Sequence, residues 1–410
     1  MLQPPLAIGF DDVLAAAEVI KDDVVRTPSA HSATLSTMVG ADVWIKFENL
    51  QFTGSFKDRG SAHHLRLLTP EQAERGVITL SAGNHAQGVA HHASRLGIDA
   101  TVVMSTTAPF SKVVATEALG ARVVQYGRSF HEAAIKLDEL TATQQLHYVP
   151  PYDDPAIMAG QGTVALEMLA DVPDLDVLLV PVGGGGLLAG VVTAAKALKP
   201  SIEVIGVQID RFDPVAAARD GRPEPAADVD TLADGIAVKN PGRLTVPIIN
   251  TLADDVVVVS EEATERAIGL LLEIEKTVAE GAGAVALAAA MEGAGRFAGR
   301  RLGLVLSGGN IDSRVLASVL MRGLARSGRV AAMRILLQDL PGELARVVDA
   351  IAGAGANIIE IDHRRLFDPI SARSTNVDVV VEIRNPAHGQ LVMERIRAIG
   401  LDVLSLSERS

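Results

Sequence analysis

One lysine in this sequence follows a Thr-Gly-Ser turn and is well placed for covalent chemistry. Residues 48–60 read ENLQFTGSFKDRG, so Lys57 comes directly after the aromatic Phe56. If a helix begins at Lys57, its N-terminus repels a cation, and partial burial beside Phe56 adds to this effect, so the pKa of the amine is lowered. A neutral amine can form an imine with an aldehyde and can later act as a base. The alternative is a solvated surface lysine that pairs with Asp58.

Two loops that follow predicted strands are suited to binding anions. Residues 81–87 read SAGNHAQ, and the backbone N–H groups of such a strand-to-helix turn can hold an anion. Asn84 can donate to a phenolate-like oxygen, whereas His85 is a candidate base or ligand with a structural role as the alternative. Residues 182–190 read VGGGGLLAG. Consecutive glycines expose their N–H groups in one concave surface, which predicts a phosphate site.

A fourth motif, LVLSGGN at residues 304–310, places Ser307 at the carboxyl end of a predicted strand. Open α/β sheets bind ligands at that end, and a serine there can hydrogen-bond a ring nitrogen. A turn-forming serine is the alternative. The glycine loop also fits the dinucleotide pattern G-x-G-x-x-A, with Asp210 after the next strand, which would indicate an NAD-linked dehydrogenase. That interpretation leaves Lys57 and the asparagine loop unexplained.

These motifs must be positioned by alternating strands and helices, which predict an α/β fold with mostly parallel sheets and helices on both faces. The predicted strands are Asp42–Phe47, Gly76–Leu80, Ala100–Met104, Ala121–Gln125, Val177–Val182, Glu203–Gln208, Val256–Ser260 and Arg301–Leu306. The predicted helices between them are Gly88–Leu96, Thr116–Gly120 and Gly186–Leu198.

The pattern changes after a polar, basic segment, Arg322–Ala331, which is predicted to be a linker. The order that follows is strand, helix, strand, strand, helix, strand, which indicates a small ferredoxin-like α+β domain. The predicted strands are Met333–Gln338, Asn357–Arg365, Asn376–Arg384 and Asp402–Ser407. The predicted helices are Gly342–Gly353 and Gly389–Ile399.

Composition excludes several classes of function. A net charge of −13 and an aromatic content of 3% disfavour nucleic-acid binding. The absence of cysteine excludes disulfides, thiolate metal sites and a cysteine nucleophile. The sequence has neither a signal-peptide pattern nor an uncharged apolar run of the roughly 20 residues that would span a bilayer. We therefore expect no membrane partner and a cytoplasmic location.

The motifs SFKDR, SAGNH, GGGGL and SGGN, in this order, resemble the fold-type II pyridoxal-phosphate enzymes and, among them, the threonine ammonia-lyases, or threonine dehydratases. Residues 232–242 and 278–284 are similar to segments of that family, and the tail resembles an ACT domain. The resemblance implies a two-lobed fold like that of the tryptophan synthase β subunit. The expected catalytic domain is 1–326, with a small lobe at roughly 50–150 inserted in the large lobe, and the expected ACT-like regulatory domain is 331–410.

The same resemblance implies the reaction and its regulation. The cofactor would be pyridoxal 5'-phosphate, and L-threonine would be deaminated to 2-oxobutanoate and ammonia by β-elimination of water. L-Serine would similarly give pyruvate. A role in isoleucine biosynthesis, with isoleucine or valine as an allosteric effector, and a homo-oligomer (a dimer or tetramer) are expected. An amino-acid sensor with a vestigial catalytic fold is the non-enzyme alternative, which intact Lys57, Asn84 and Ser307 disfavour.

Residue roles follow from the resemblance by position. Lys57 would be the catalytic residue and would bind the cofactor covalently. The other expected cofactor-binding residues are Phe56, Asn84, Gly183, Gly184, Gly185, Gly186, Leu187 and Ser307. The expected substrate-binding residues are Ser81, Ala82, Gly83 and His85, and the expected effector-binding residues are Gly342 and Asn357.

Four positions separate this chain from relatives or refine its site. Glu280 is expected near the edge of the cofactor ring. The related serine racemases have serine at the position of Ala82, and cysteine synthases have threonine at that of His85. Some relatives have a glutamate at the position of Gln208 that helps bind a divalent cation, and because glutamine lacks the charge we expect no metal.

Overall fold

The computed structural model describes residues 6–222, 230–364 and 373–406. The chain divides into two compact units, Met1–Asp312 and Ser313–Ser410. Each is described by itself below. Within the described residues, no helix is long and apolar enough to cross a membrane.

The first unit alternates helices and strands along most of its length. Its strands are β1 (Ser29–His31), β2 (Asp42–Phe47), β3 (Val77–Leu80), β4 (Ala100–Met104), β5 (Arg122–Gln125), β6 (His147–Tyr148), β7 (Val177–Pro181), β8 (Glu203–Ile209), β9 (Asp255–Val259) and β10 (Arg301–Leu306). Its α-helices are α1 (Phe10–Ile20), α2 (Ala33–Val39), α3 (Lys57–Arg66), α4 (Pro70–Arg75), α5 (Asn84–Leu96), α6 (Phe110–Ala118), α7 (Phe130–Gln144), α8 (Pro155–Asp171), α9 (Gly186–Leu198), α10 (Pro214–Asp220), α11 (Thr245–Leu252), α12 (Glu261–Ile274), α13 (Gly281–Glu292) and α14 (Ala294–Phe297). Short 3₁₀ turns lie at Glu48–Leu50 and Asp234–Ile236.

Two sheets form the two lobes of this unit. The larger has the order β1-β2-β10-β7-β8-β9 and is parallel except for β1, which pairs antiparallel with β2. The smaller, β5-β4-β3-β6, is parallel throughout, and its strands come between β2 and β7 in the chain. The predicted two-lobed α/β fold with parallel sheets is therefore confirmed.

The strands fold this way because their residues are apolar on both faces. β4 and β7 are buried at every position, as expected for strands covered by helices on both sides. Helices α8 and α9 pack closely over the larger sheet because glycines face each other there: a Cβ on Gly190 would lie 2.2 Å from the carbonyl oxygen of Met158.

The second unit has the predicted ferredoxin-like order of elements after an initial helix. In chain order these are α15 (Ser313–Arg326), β11 (Val330–Gln338), α16 (Glu343–Gly353), β12 (Asn357–Arg364), β13 (Ser374–Glu382), α17 (Pro386–Ala398) and β14 (Asp402–Ser405). The antiparallel sheet has the order β12-β13-β11-β14, and its buried core lies between the sheet and helices α16 and α17.

The prediction of a linker at Arg322–Ala331 was wrong in secondary structure. Helix α15 continues to Arg326, and β11 already begins at Val330. The apolar residues of α15 recur at helical spacing among its basic residues, and Val319 is buried. The segment was predicted to be a linker because it is polar overall, although its apolar residues have the spacing of an amphipathic helix. The last residues of two predicted strands, Arg365 and Ser407, lie outside the described residues.

Candidate active site

Helix α3 begins at Lys57, as predicted, with Phe56 at its N-cap. The Lys57 Nζ donates to the carbonyl oxygen of Pro151 at 2.6 Å and lies 5.2 Å from the centre of the Phe56 ring. Burial lowers the pKa of Lys57 to about 8, against an opposing effect of the Glu280 carboxylate. The alternative of a surface ion pair with Asp58 was wrong. That carboxylate instead accepts from the backbone N–H and the hydroxyl of Thr53, at 3.1 and 2.5 Å.

A buried charged cluster fixes the first turn of α3. The guanidinium of Arg59 donates to Glu48 at 2.7 and 2.8 Å and to Glu167 at 2.7 and 2.8 Å. Arg59 and Glu48 are both fully buried, so each charge depends on the other for compensation. Removing one partner of such a pair costs about 3–5 kcal/mol. The buried ion pairs of Arg59 therefore also fix the backbone position of Lys57, two residues earlier.

Asn84 is the first residue of α5, directly after the asparagine loop, and its amide is held on both sides. Its Nδ2 donates to Glu280 Oε1 at 2.6 Å, and its Oδ1 accepts from Asn310 Nδ2 at 2.6 Å. Asn310 also donates to the carbonyl oxygen of Thr53 at 2.7 Å, in the loop that leads to Lys57. Since an amide has two N–H hydrogens, this arrangement leaves one on Asn84 for a ligand.

Glu280 lies beside Asn84 and is a buried residue, only 4% exposed. Burial, with a smaller effect of Asp234, raises the pKa of Glu280 to about 7, although the Asn84 amide and Lys112 act in the opposite direction. Lys112 Nζ and Asp234 Oδ2 form an ion pair at 2.6 Å between the two lobes. The expected ring-edge residue is thus a buried carboxyl that can change charge near neutral pH.

The rest of the asparagine loop forms a partly open surface at the start of α5. Ser81, Ala82, Gly83 and Asn84 are each partly exposed, whereas His85 is buried. Ser81 Oγ accepts from the Gly83 N–H at 3.2 Å. Gly83 caps α5 without a side-chain hydrogen bond, so backbone N–H groups of the first turn remain for an anion.

The glycine loop joins β7 to α9, as predicted. Gly185, at φ +95°, is the N-cap of α9 and provides no side-chain cap, so the first-turn N–H groups remain for an anion. A Cβ on Gly184 would lie 2.3 Å from the Tyr152 ring, and Thr245 Oγ1 donates to the Gly184 carbonyl at 2.7 Å. The close packing of Tyr152 explains why this turn needs glycine.

Ser307 follows β10 and links the fourth motif to the lysine loop. It is buried, its Oγ donates to the carbonyl oxygen of Ala282 at 3.3 Å, and its own carbonyl accepts from the Phe56 N–H at 3.0 Å. The four motifs therefore follow the carboxyl ends of β2, β3, β7 and β10, and hydrogen bonds connect the lysine, asparagine and SGGN motifs. These groups match the parts of pyridoxal phosphate one by one. The primary amine suits its aldehyde and the amide its ring hydroxyl. The serine hydroxyl suits its ring nitrogen, and the uncapped helix N-terminus suits its phosphate.

Comparisons with known proteins agree with this set of groups. A family model described as "Pyridoxal-phosphate dependent enzyme" matches residues 20–308. The chain belongs to this family. Pyridoxal phosphate, the cofactor of this family, suits the groups described above. The alternative of an NAD-linked dehydrogenase is therefore without support.

The chain is similar to relatives with two kinds of activity. L-Threonine ammonia-lyase of Thermotoga maritima is 40% identical over 400 residues, 97% of this chain and 99% of the relative. The processed form of threonine deaminase isoform 2 from Solanum lycopersicum has a TM-score of 0.72 at 35% identity, covering 78% of this chain and 90% of that structure. Maize serine racemase also has a TM-score of 0.72, at 33% identity, covering 78% of this chain and 99% of that structure.

Sequence reasoning missed the residues that approach the motifs from elsewhere in the chain. Pro151 accepts from Lys57, Tyr152 packs on the glycine loop, Thr245 bonds the same loop, and Asn310 orients Asn84. Only Asn310 had a local signal, since it ends the SGGN motif. The other three depend on contacts between distant segments.

Gln208 is buried and is engaged with the protein. Its Oε1 accepts from the Ala216 N–H at 2.9 Å, and its Nε2 lies 3.5 Å from the Val182 carbonyl oxygen. Among the residues that the structure describes, no group of three or more histidine and carboxylate side chains is arranged to hold a metal ion.

Proposed function

We propose that this protein is a threonine ammonia-lyase, which converts L-threonine to 2-oxobutanoate and ammonia by β-elimination of water and converts L-serine to pyruvate. The observation that carries the proposal is the partly buried Lys57 amine, whose pKa is lowered to about 8 and which interacts electrostatically with Glu280 and with His85 of the asparagine loop. The likeness to the Thermotoga maritima enzyme over 97% of the chain supports the choice of substrate.

The cofactor-binding roles follow from the donors that line the site. Lys57 would bind the cofactor aldehyde, and Asn84 would donate its remaining amide hydrogen to the ring hydroxyl oxygen. The backbone of Gly183–Leu187 donates to the phosphate at the N-terminus of α9, where the helix dipole also favours an anion. Ser307 would hydrogen-bond the ring nitrogen, and Phe56 would pack near the ring.

The chain's own residues then move the protons. When bound, pyridoxal phosphate supplies an electron sink for negative charge at the substrate Cα. Lys57, once free, takes the Cα proton, and its lowered pKa helps because a larger fraction of the amine is neutral near neutral pH than in an ordinary lysine. Ser307 is a neutral partner that need not keep the ring nitrogen protonated. This favours rapid loss of the β-hydroxyl over a long-lived carbanion.

The asparagine loop binds the substrate and selects elimination over racemisation. Backbone N–H groups at the start of α5, together with Ser81, hold the substrate carboxylate. Ala82 lies in this partly exposed loop and has no group that can deliver a proton. Because racemisation requires a proton on the opposite face of Cα, alanine here favours elimination, in contrast to the serine of the related racemases.

The purified protein tests this function directly. We expect a visible absorption band from bound cofactor and release of 2-oxobutanoate and ammonia in equal amounts from L-threonine. Release of pyruvate from L-serine should be slower. Absence of the band, or conversion of threonine and serine only to their stereoisomers, would overturn the assignment.

The second unit is proposed to be an ACT-like regulatory domain that binds isoleucine or valine. Its ferredoxin-like topology supports this. Gly342, at φ +93°, is the N-cap of α16, where an added Cβ would meet no atom within 4 Å, and Asn357 is an exposed residue at the start of β12. A domain that only builds an oligomer interface is the alternative. The regulatory domain at 331–410 after a catalytic domain at 1–326, the homo-oligomer, the cytoplasmic location and the role in isoleucine biosynthesis remain predictions.

A further inference from the structure

Glu280 is a buried carboxyl beside the cofactor-binding motifs, and the proposed reaction does not use it. It is the N-cap of α13, and the residue is only 4% exposed. Its backbone N–H donates to the carbonyl oxygen of Gly308 in the SGGN motif at 3.1 Å, and a Cβ on Gly308 would collide with the carboxyl. Because Glu280 has so little exposed surface, its influence on a ligand has to pass through the residues that it contacts.

The contacts of Glu280 belong to a chain of hydrogen bonds with a defined direction. At one end, the Thr53 carbonyl oxygen can only accept, so the atom of Asn310 that lies 2.7 Å away is its amide nitrogen. That nitrogen donates its second hydrogen to Asn84 at 2.6 Å, which requires the oxygen of the Asn84 amide. The Asn84 nitrogen therefore faces Glu280 Oε1, at 2.6 Å. An ionised carboxylate can only accept, so both ends of the chain fix the same orientation of the Asn84 amide.

The charge of Glu280 depends on the groups around it. Burial and, to a smaller extent, the Asp234 carboxylate raise the pKa of Glu280 to about 7. The Asn84 amide, the Lys112 ammonium and the Asn310 backbone N–H act in the opposite direction. The carboxyl is therefore charged above about pH 7 and gains a hydrogen below it. The protonated form can donate as well as accept, so it no longer fixes which atom of the amide faces it.

We propose that Glu280 is a positioning residue, whose carboxylate holds the Asn84 amide with one N–H toward itself and the other toward the ring hydroxyl oxygen of the cofactor. The partly exposed residue of this pair is Asn84, so Asn84 makes the contact with the ligand and Glu280 orients it. The inference rests on the proposed cofactor-binding role of Asn84 and deepens it. Glu280 also raises the pKa of Lys57 through its charge, which is a separate effect that the experiments must distinguish.

Two variants separate the acceptor of Glu280 from its charge. Glu280→Gln keeps an oxygen that can accept from Asn84, whereas Glu280→Leu has a similar size and no acceptor. Both lack the charge that acts on Lys57, so a difference between them reports the bond to Asn84. In equilibrium titrations with pyridoxal phosphate at about pH 8, we expect Glu280→Leu to weaken cofactor affinity about tenfold and Glu280→Gln to stay within about threefold of the wild type. An unchanged affinity in Glu280→Leu, or an equal loss in both variants, overturns the proposal.

The same substitution in an Asn84→Ala background shows whether Glu280 acts through Asn84. We expect Glu280→Leu to change the cofactor affinity less than about twofold there, because the amide that the carboxylate orients is absent. The matched control is Glu139→Leu on α7, whose carboxylate pairs with Lys136 and should matter in neither background. A loss of about tenfold in both backgrounds overturns the proposal. If Asn84→Ala binds the cofactor as tightly as the wild type, the role of Asn84 has failed and the proposal with it.

A measurement without turnover follows the amide in the wild-type holoenzyme. Nitrogen-15 NMR identifies the Asn84 side-chain amide by its absence in Asn84→Ala. We expect this resonance to move with a midpoint near pH 7, as Glu280 loses its hydrogen, and to stay constant in Glu280→Gln. A wild-type resonance that moves no more than that of Glu280→Gln overturns the proposal, even if Glu280→Leu fails to fold. If the wild type shows this titration yet releases no keto acid from threonine or serine, it is the proposed function that has failed.

Discussion

At the scale of single residues, Lys57 carries the proposed chemistry, because its amine is the only group of the four motifs that can bind an aldehyde. We predict that Lys57→Ala abolishes both the visible band of bound cofactor and the release of 2-oxobutanoate, while the far-ultraviolet circular dichroism stays the same. Lys136→Ala is a suitable control, since that lysine pairs with Glu139 on helix α7. Undiminished 2-oxobutanoate release by Lys57→Ala would show that another group does the chemistry.

The lowered pKa of Lys57 makes a separate prediction for cofactor binding. Attack on the cofactor aldehyde needs the neutral amine, so the rate at which cofactor-free enzyme recovers its visible band should rise with pH and level off above about 8. An ordinary lysine, with a pKa near 10.4, would give a rate that is still rising at pH 9 to 10. Stopped-flow absorbance at several pH values measures this. A midpoint near 10 would contradict the effect of burial.

Ala82 provides a test of reaction choice. We predict that Ala82→Ser adds racemisation of serine, because a hydroxyl in the asparagine loop can deliver a proton to the second face of Cα. Chiral chromatography of serine after incubation measures the D-isomer, and Ala82→Gly is the control without a hydroxyl. If the wild type already racemises serine as fast as it eliminates water, Ala82 does not separate the two reactions.

At the scale of elements, the glycine loop between β7 and α9 depends on the ring of Tyr152. We predict that Gly184→Ala weakens cofactor affinity at least about tenfold, since a Cβ there would lie 2.3 Å from the ring and the loop would have to shift. Gly269→Ala in helix α12 is the control, because a Cβ there meets no atom within 4 Å. It should stabilise the protein by up to about 1 kcal/mol. Equilibrium titration with cofactor and thermal unfolding measure the two effects, and equal affinity in both variants would contradict the role of the loop.

The sequence was informative about elements where a continuous apolar run ends in a turn. The bounds predicted for β2, β4, β10 and α9 agree with the structure at both ends. The strands β1 and β6 were not predicted. They have three and two residues, respectively, which is too short to show the alternation of apolar and polar residues that is typical of a strand. Helix α15 was mistaken for part of a linker since its basic residues outweighed its apolar spacing.

The sequence predicted the site residues that lie in short continuous motifs, but not their partners from distant parts of the chain. Each motif follows a strand of a parallel sheet, so the sequence predicts that all four lie at the carboxyl ends of the strands. The acceptor for Lys57 could not be predicted, because Pro151 is 94 residues away in the chain. The Val149 carbonyl oxygen, 3.0 Å from His85 Nε2, is likewise 64 residues away in the chain. Such partners become visible only when the fold brings distant segments of the chain together.

At the scale of the whole molecule, the second unit has a buried core of its own between its antiparallel sheet and two helices. A regulatory effect requires that an effector bind two states of the enzyme with different affinity, so binding to the second unit is not sufficient by itself. Isoleucine is the favoured effector because it is the end product expected of the proposed pathway, with valine as an opposing effector.

We predict that isoleucine shifts the threonine saturation curve of the full chain to higher threonine concentrations and that valine reverses this shift. Asn357→Ala should weaken isoleucine binding about tenfold, because the exposed amide at the start of β12 is expected to hydrogen-bond the polar end of the effector. Gln390→Ala, at an exposed position on α17, is the control and should leave isoleucine binding unchanged. Calorimetric titration and initial rates measure binding and effect separately. If isoleucine binds without changing the curve, the unit senses an amino acid without regulating the enzyme. If neither amino acid binds, the second unit has another role, such as building the oligomer interface.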